Sequence, residues 1–129
     1  MPIKADPFVA VVPTDMFVGK RSVSRDELYK QTYISINEKI LDSYFELDKF
    51  ENILNFDSVD NVSVLYMIEQ HLGFSVLPSL MVNKRIKGIK SLRLDPPVCR
   101  TIGVAYKKNA KLNHATRLFL KYISNKRQQ

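Results

Sequence analysis

A single cysteine, Cys99, two histidines and four glycines set the first limits on this chain of 129 residues. One thiol cannot close an internal disulfide, so the composition fits a reducing compartment and not a disulfide-stapled secreted scaffold. His71 and His114 stand near expected helix ends with no ligand or catalytic partner at useful spacing. The chain has no HExxH, CxxC, GxGxxG, Walker loop or GxSxG. Cys99 follows closely on Pro96 and Pro97, and without a paired histidine it reads as an inert structural thiol. No metal site, no cofactor and no catalytic residue is therefore expected, and the chain does not read as an enzyme. No window approaches the ~18 to 20 apolar residues of a membrane span. The first six residues lack the apolar run of a secretory signal. A cytoplasmic protein, or a soluble piece of one, is the expectation.

What is present is ordinary for a globular domain: 45% hydrophobic and 26% charged residues. Such a chain can bury roughly two-thirds of its unfolded surface in one domain. Six prolines and four glycines punctuate short elements and leave no low-complexity linker. The net charge of +7 points toward nucleic acid until its distribution is read. Lys84, Arg85, Lys87 and Lys90 form one basic patch, and Lys107, Lys108 and Lys111 form another. Lys121, Lys126 and Arg127 fall in and after the last expected helix, where cations complement the helix dipole. Dispersed charge of this kind favours solvated faces over a DNA groove.

Phe8-Val9-Ala10-Val11-Val12 is a buried-strand pattern ended by Pro13. A loop over residues 14–23 precedes Ser24-Arg25-Asp26-Glu27, a capping box that starts a short helix reaching about Gln31. Tyr33-Ile34-Ser35-Ile36 reads as a second strand. A helix is expected over residues 41–53, carrying Leu41, Tyr44, Phe45 and Phe50, and a third strand over 53–56. Asp57 or Ser58 can cap a helix that packs Val62, Leu65, Tyr66 and Ile68 and runs to Leu72. Gly73 stops that helix and Phe74–Leu77 continues as a strand to Pro78. A helical turn over 79–82 leads through a basic loop to Gly88, followed by strands over 91–94 and 101–106. Ala115, Leu118, Phe119 and Tyr122 follow i, i+3, i+4, i+7 from an Asn113 cap. The aromatics Tyr44, Phe45, Phe50, Tyr66 and Phe119 read as core rather than as a base-stacking platform. Strands alternating with helices predict an α/β fold, a layered and mostly parallel sheet with flanking helices.

Several of these segments, in this order, resemble the effector-binding part of LysR-type transcriptional regulators. Leu72-Gly73-Phe74-Ser75-Val76-Leu77-Pro78 is similar to that family's helix-to-strand step. Asp6-Pro7-Phe8-Val9-Ala10-Val11-Val12-Pro13 resembles the strand entering its second regulatory subdomain, although Asp15-Met16-Phe17-Val18 replaces a common His-Pro-Leu-Ala loop. Val23-Ser24-Arg25-Asp26-Glu27-Leu28 resembles the start of its short helix, and Tyr33-Ile34-Ser35-Ile36 the strand facing the effector. Residues 100–108 and 112–123 resemble its return strand and final helix. The resemblance implies a fold like a type 2 periplasmic binding protein. It implies that about residues 7–97 form the second regulatory subdomain, and that about 98–125 belong to the first. Nothing in the sequence matches the family's helix-turn-helix, its linker helix or the rest of the first subdomain.

In open α/β sheets, ligands sit beyond the carboxyl ends of strands, where loops lead into helices. Ile36-Asn37-Glu38-Lys39-Ile40 and Asp57-Ser58-Val59-Asp60 occupy such positions. The resemblance places a small-molecule effector at the first of them, so Ser35, Ile36, Asn37, Glu38, Lys39 and Ser58 are the candidate effector-binding residues. The plainer alternative is that Asn37 caps a helix and Lys39 is solvated. Glu38 beside Lys39 leaves the sign of the ligand's charge open, and the resemblance suggests an anionic metabolite. The resemblance further implies a homo-oligomer that meets promoter DNA through the helix-turn-helix. The apolar face of Ala115, Leu118, Phe119 and Tyr122 is expected either to pack back onto the sheet or to be buried in a dimer. A different class stays open: a stand-alone basic α/β protein that binds nucleic acid or a protein partner directly. An extracytoplasmic solute-binding protein would share the fold type but would need a signal peptide.

Overall fold

A computed structural model describes residues 1–57 and 59–127. Ser58, expected as a cap and as a site residue, lies outside the described residues. The chain divides into two compact units, one of residues 7–99 and one of residues 1–6 with the chain from Arg100 onward.

The larger unit is built around β1 (Pro2–Pro13), whose second half pairs antiparallel with β5 (Ser75–Pro78) and β6 (Ile89–Asp95). β2 (Ser22–Ser24) runs parallel to β6, and β3 (Tyr33–Ser35) runs parallel to β4 (Ile53–Asn55). A parallel bridge between Tyr33 and Phe74 links β3 to the residue that leads into β5. Five strands, β2 to β6, thus share one direction and β1 alone opposes them. The reason is connectivity. α1 (Arg25–Tyr29), α2 (Lys39–Tyr44) and α3 (Asn61–Glu69) carry the chain back between successive strands, and such crossovers preserve strand direction. Only turns, without a helix, join β1 to β2. Expected to be mostly parallel, the pairing is mixed: β2 with β6 and β3 with β4 are parallel, while β1, between β5 and β6, is antiparallel to both.

β1 is apolar on both faces because both are covered. Phe8, Ala10 and Val12 join Val23, Leu28, Leu41, Leu92 and Leu94 in one core. Val11 faces the other way, with Leu77, Ile34, Val64, Leu65, Ile68 and Ile86. The sheet is therefore a middle layer, which is the layered α/β fold expected from the sequence.

α1 has the expected capping box: the Ser24 hydroxyl accepts from Glu27 N–H at 3.2 Å, and Glu27 accepts from Ser24 N–H. The helix expected over 41–53 is different. It ends at Tyr44, Phe45 is extended, and a 3-10 turn follows at Leu47–Lys49. On a straight helix Phe50 would stand about half a turn from Leu41, nine residues at roughly 100° each. Breaking the helix lets Leu41, Phe45 and Phe50 all reach the same core, where the Phe50 ring stacks on Tyr33 at 5.0 Å and meets Tyr29 at 4.9 Å.

α3 is capped by Asp60, whose carboxylate accepts from Ser63 N–H at 2.7 Å, and not by Asp57. Its buried residues are Val64, Leu65 and Ile68; Val62 and Tyr66, expected in the core, are exposed. One helix face cannot take all five, and the phenol of Tyr66 is the group with a use for water. The helix closes at His71, with φ of 63°, rather than at Gly73. His71 N–H donates to Ile68 C=O and Leu72 N–H to Met67 C=O, the paired bonds of a Schellman close with histidine in the usual glycine place. Gly73 serves a different need: a Cβ there would lie 2.5 Å from the Thr32 carbonyl oxygen, where β3 and the path to β5 draw together. The strand continues as expected through β5 to the 3-10 turn Ser79–Met81.

In the smaller unit, β7 (Cys99–Gly103) begins and ends earlier than the strand expected over 101–106. Val104 N–H donates to Met1 C=O at 2.8 Å, and a Cβ on Gly103 would meet that same oxygen at 2.8 Å. α4 (His114–Arg127) starts behind Asn113, whose side chain accepts from Thr116 N–H at 2.8 Å. Leu118, Phe119 and Tyr122 are 53%, 58% and 60% exposed, and Ala115 is exposed too. Phe119, expected in the core, is exposed. No helix among the described residues is long and apolar enough to cross a membrane.

Candidate functional site

Because β2 to β6 share a direction, their carboxyl ends, at Ser24, Ser35, Asn55, Pro78 and Asp95, share one edge of the larger unit. The sequence candidates from Ser35 to Lys39 stand on that edge. Ser35 ends β3 and is buried at 5% exposure. Its hydroxyl accepts from Asn37 N–H at 3.3 Å, so it shapes the turn and does not face solvent. Ile36 is half-buried against the α3-side core. Asn37 is exposed and left-handed, with φ of 60°, a conformation asparagine tolerates better than most residues. Its amide donates to the Asp57 carboxylate. Glu38 is the N-cap of α2 but makes no side-chain cap bond, and Lys39 opens that helix, exposed. Asn37 is thus not the helix cap; it ties two strand-end loops together.

Asp57 was not among the sequence candidates, and register could have found it. Ser35 pairs with Asn55, so Asn37 and Asp57 each stand two residues beyond matched strand ends. The mixed character of this edge is set by Asp57, Glu38 and Asp60 against Lys39. The backbone N–H of Ser63 holds the Asp60 carboxyl below its ordinary range. Beneath the edge, burial first and the charge of Asp42 second hold the Tyr33 phenol well above its usual range, with a hydrogen bond from Ser35 opposing them.

Two concavities share this edge, and sequence reasoning indicated neither. One, of about 550 Å³, has apolar walls from Pro7, Phe8, Val9, Leu94, Pro97 and Val98, with Ser22, Arg93 and Asp95 as its polar groups. The other, of about 260 Å³, lies between α1 and the 3-10 turn at Leu47–Lys49. There Arg25 donates to Tyr44 C=O at 3.2 Å and Lys49 pairs with Glu46 at 2.7 Å. Both are formed by residues distant in sequence, which is why no local motif marks them. Elsewhere, His71 Nε2 meets Asp15 at 3.0 Å on an exposed surface, and Cys99 is exposed. Among the described residues no three His, Cys, Asp or Glu side chains are placed to hold a metal ion.

Comparison with known proteins bears on this geometry. No curated protein matches the sequence. Solved structures do. The CcmR regulatory domain of Synechocystis PCC6803, in complex with 2-PG, is 21% identical with a TM-score of 0.77, over 97% of this chain and 64% of that one. The reduced OxyR regulatory domain of Pseudomonas aeruginosa is 19% identical with a TM-score of 0.72, over 100% of this chain and 65% of that one. HinK, a LysR family transcriptional regulator from Pseudomonas aeruginosa, is 25% identical with a TM-score of 0.72, over 98% and 47%. The chain therefore spans less than two-thirds of the length of these relatives. Residues 1–128 match the LysR substrate binding domain, and the chain belongs to that family.

Proposed function

We propose that this chain is the effector-binding portion of a LysR-type transcriptional regulator and that its role is non-catalytic. The carrying observation is the single edge on which five strand ends meet, where Asn37 and Asp57 join two loops beside Lys39. Strand carboxyl ends are where open α/β sheets bind ligands. Residues 7–97 act as the second regulatory subdomain, and 98–125 belong to the first. The effector is a small anionic metabolite, in keeping with the 2-PG of the CcmR complex. Lys39 supplies charge, Asn37 and Ile36 supply shape, and Ser35 holds the turn. Effector binding favours one arrangement of a homo-oligomer, in which the face of Ala115, Leu118, Phe119 and Tyr122 takes part. That arrangement changes how a helix-turn-helix elsewhere in the regulator meets promoter DNA. Such control requires different affinities for the two arrangements.

The test is an amide-resolved NMR titration of the chain with 2-PG and with a panel of small mono- and dicarboxylates. Saturable shifts centred on residues 35–39 and 57, weakened in Lys39→Met, are expected. Ligands that bind but leave those residues unmoved would overturn the site, and a panel with no binder would overturn effector capture by this chain.

A further inference from the structure

The opposite end of the same sheet carries a third concavity. β6 starts at Ile89, paired with Pro13, so its amino end lies far from the edge where Asp95 ends the strand. Between this amino end and the preceding basic loop is a pocket of about 180 Å³. Its floor is apolar, from Ile86 and Ile89, which pack into the α3-side core. Its polar groups are Asn83, Lys84, Lys90 and Ser91.

The inventory is one-sided. Lys84 and Lys90 form no salt bridge among the described residues. The Lys90 ammonium turns to the other face of β6, the face of Leu92, and donates there to Phe17 C=O at 3.3 Å, so Lys84 supplies the ammonium at the pocket. The Asn83 side-chain oxygen is used, accepting from Arg85 N–H at 2.9 Å, so its amide N–H₂ is the part left to donate. Ser91 adds a hydroxyl. β2 reaches β6 only from Arg93 onward, so no strand among the described residues covers that edge at Lys90 and Ser91. No carboxylate lines the pocket. Glu69 packs beside Gly88, in the loop that precedes β6. Arg85 and Lys87, in the same loop, raise the local positive potential further.

An ammonium group, an amide donor and a hydroxyl around one small space, with Arg85 and Lys87 in the same loop, are a recognition set for an anion. The volume is below the roughly 300 to 1,000 Å³ of pockets that enclose drug-sized ligands, so the group that enters is compact. We propose that this pocket binds a tetrahedral oxyanion, inorganic phosphate or the phosphoryl group of a small phosphomonoester, at a site separate from the strand carboxyl ends. The inference does not depend on the effector reading above.

The experiment is an amide-resolved NMR titration at constant ionic strength with inorganic phosphate, with methyl phosphate, and with chloride as the control. Saturable shifts at residues 83–86 and 89–91 are expected with phosphate or methyl phosphate and not with chloride. Methyl phosphate binding more tightly assigns the site to monoesters, and phosphate binding more tightly assigns it to the free ion. Lys84→Met should weaken binding about tenfold, the loss of one charge-assisted contact. Lys30→Met removes the same charge from an exposed position at the end of α1 and should leave binding unchanged. Ser91→Asp, on an exposed strand position, should abolish it. Shifts that follow ionic strength at lysines across the surface, or equal weakening in the Lys84 and Lys30 variants, would overturn the site. So would shifts confined to residues 35–39.

Discussion

Both Nε and Nη2 of Arg100 lie 3.0 Å from Oδ2 of Asp6, a carboxylate with no exposure to solvent. The two residues come from strands far apart in sequence, β1 and β7. A buried charge is tolerable when hydrogen-bonded to an opposite one, and removing a partner leaves its desolvation uncompensated. Arg100→Met should therefore cost about 3 kcal/mol in urea unfolding. Adding Asp6→Asn to that variant should recover part of the loss, because the amide carries no charge. A double variant as unstable as Arg100→Met alone would show that the charge of Asp6 is not what the guanidinium balances.

The closure of α3 separates two uses of glycine. His71 holds a left-handed conformation that costs a residue with a Cβ roughly 1 kcal/mol, and its contact with Asp15 is exposed and worth little. His71→Gly should therefore raise the melting temperature. Gly73→Ala should lower it sharply, by about 2 to 4 kcal/mol of stability, because the new methyl meets backbone that cannot step aside. Differential scanning calorimetry of the pair checks both signs.

The capping box at Ser24 predicts a modest and pH-dependent effect. Ser24→Ala should cost about 1 kcal/mol by equilibrium unfolding. Glu27 is held below its ordinary range, chiefly by the hydrogen bond from Lys20, with Ser24 contributing less. A carboxyl depressed in the folded state stabilises above its unfolded pKa and loses that contribution as pH falls through the folded value. Glu27→Gln should therefore match the wild-type acid limb more closely below pH 4.5 than at neutral pH. A constant difference across that range would disprove the linkage.

Asn37 joins an unusual backbone conformation to an inter-loop bond. Asn37→Gly keeps the backbone and loses only the bond to Asp57, whereas Asn37→Ala also sets a Cβ at positive φ. The alanine variant should be less stable than the glycine variant by about 1 kcal/mol. Equal stabilities in thermal unfolding would mean that the left-handed turn relaxes.

The stripe on α4 predicts association. Light scattering of the chain should give twice its 14.9 kDa mass at micromolar concentration, and Phe119→Ser with Tyr122→Ser should return it to a monomer. A monomeric wild-type chain would rule out this face as a self-contact.

What was legible in the sequence was local. The Ser24 and Asn113 caps, the β1 run and the strand through Ser75–Pro78 follow from backbone chemistry within a few residues, and the structure has them where the residues put them. The order of elements was enough for a layered α/β fold and a family resemblance. Ser35, Asn37 and Lys39 could be placed beyond a strand end for the same reason. Other features needed partners distant in the chain. The break after Tyr44 is decided by the core around Tyr33, which only tertiary packing assembles. The outward turn of Val62 and Tyr66 depends on which face of α3 meets the sheet. Gly73 is required by Thr32, forty-one residues earlier. Asp57 meets Asn37 through strand register, and the Lys84–Lys90 pocket exists because the basic loop folds back on the start of β6. Periodicity and capping act along the chain, so the sequence alone determined them. Register, close approach and concavity arise between segments, and the tertiary structure decided those.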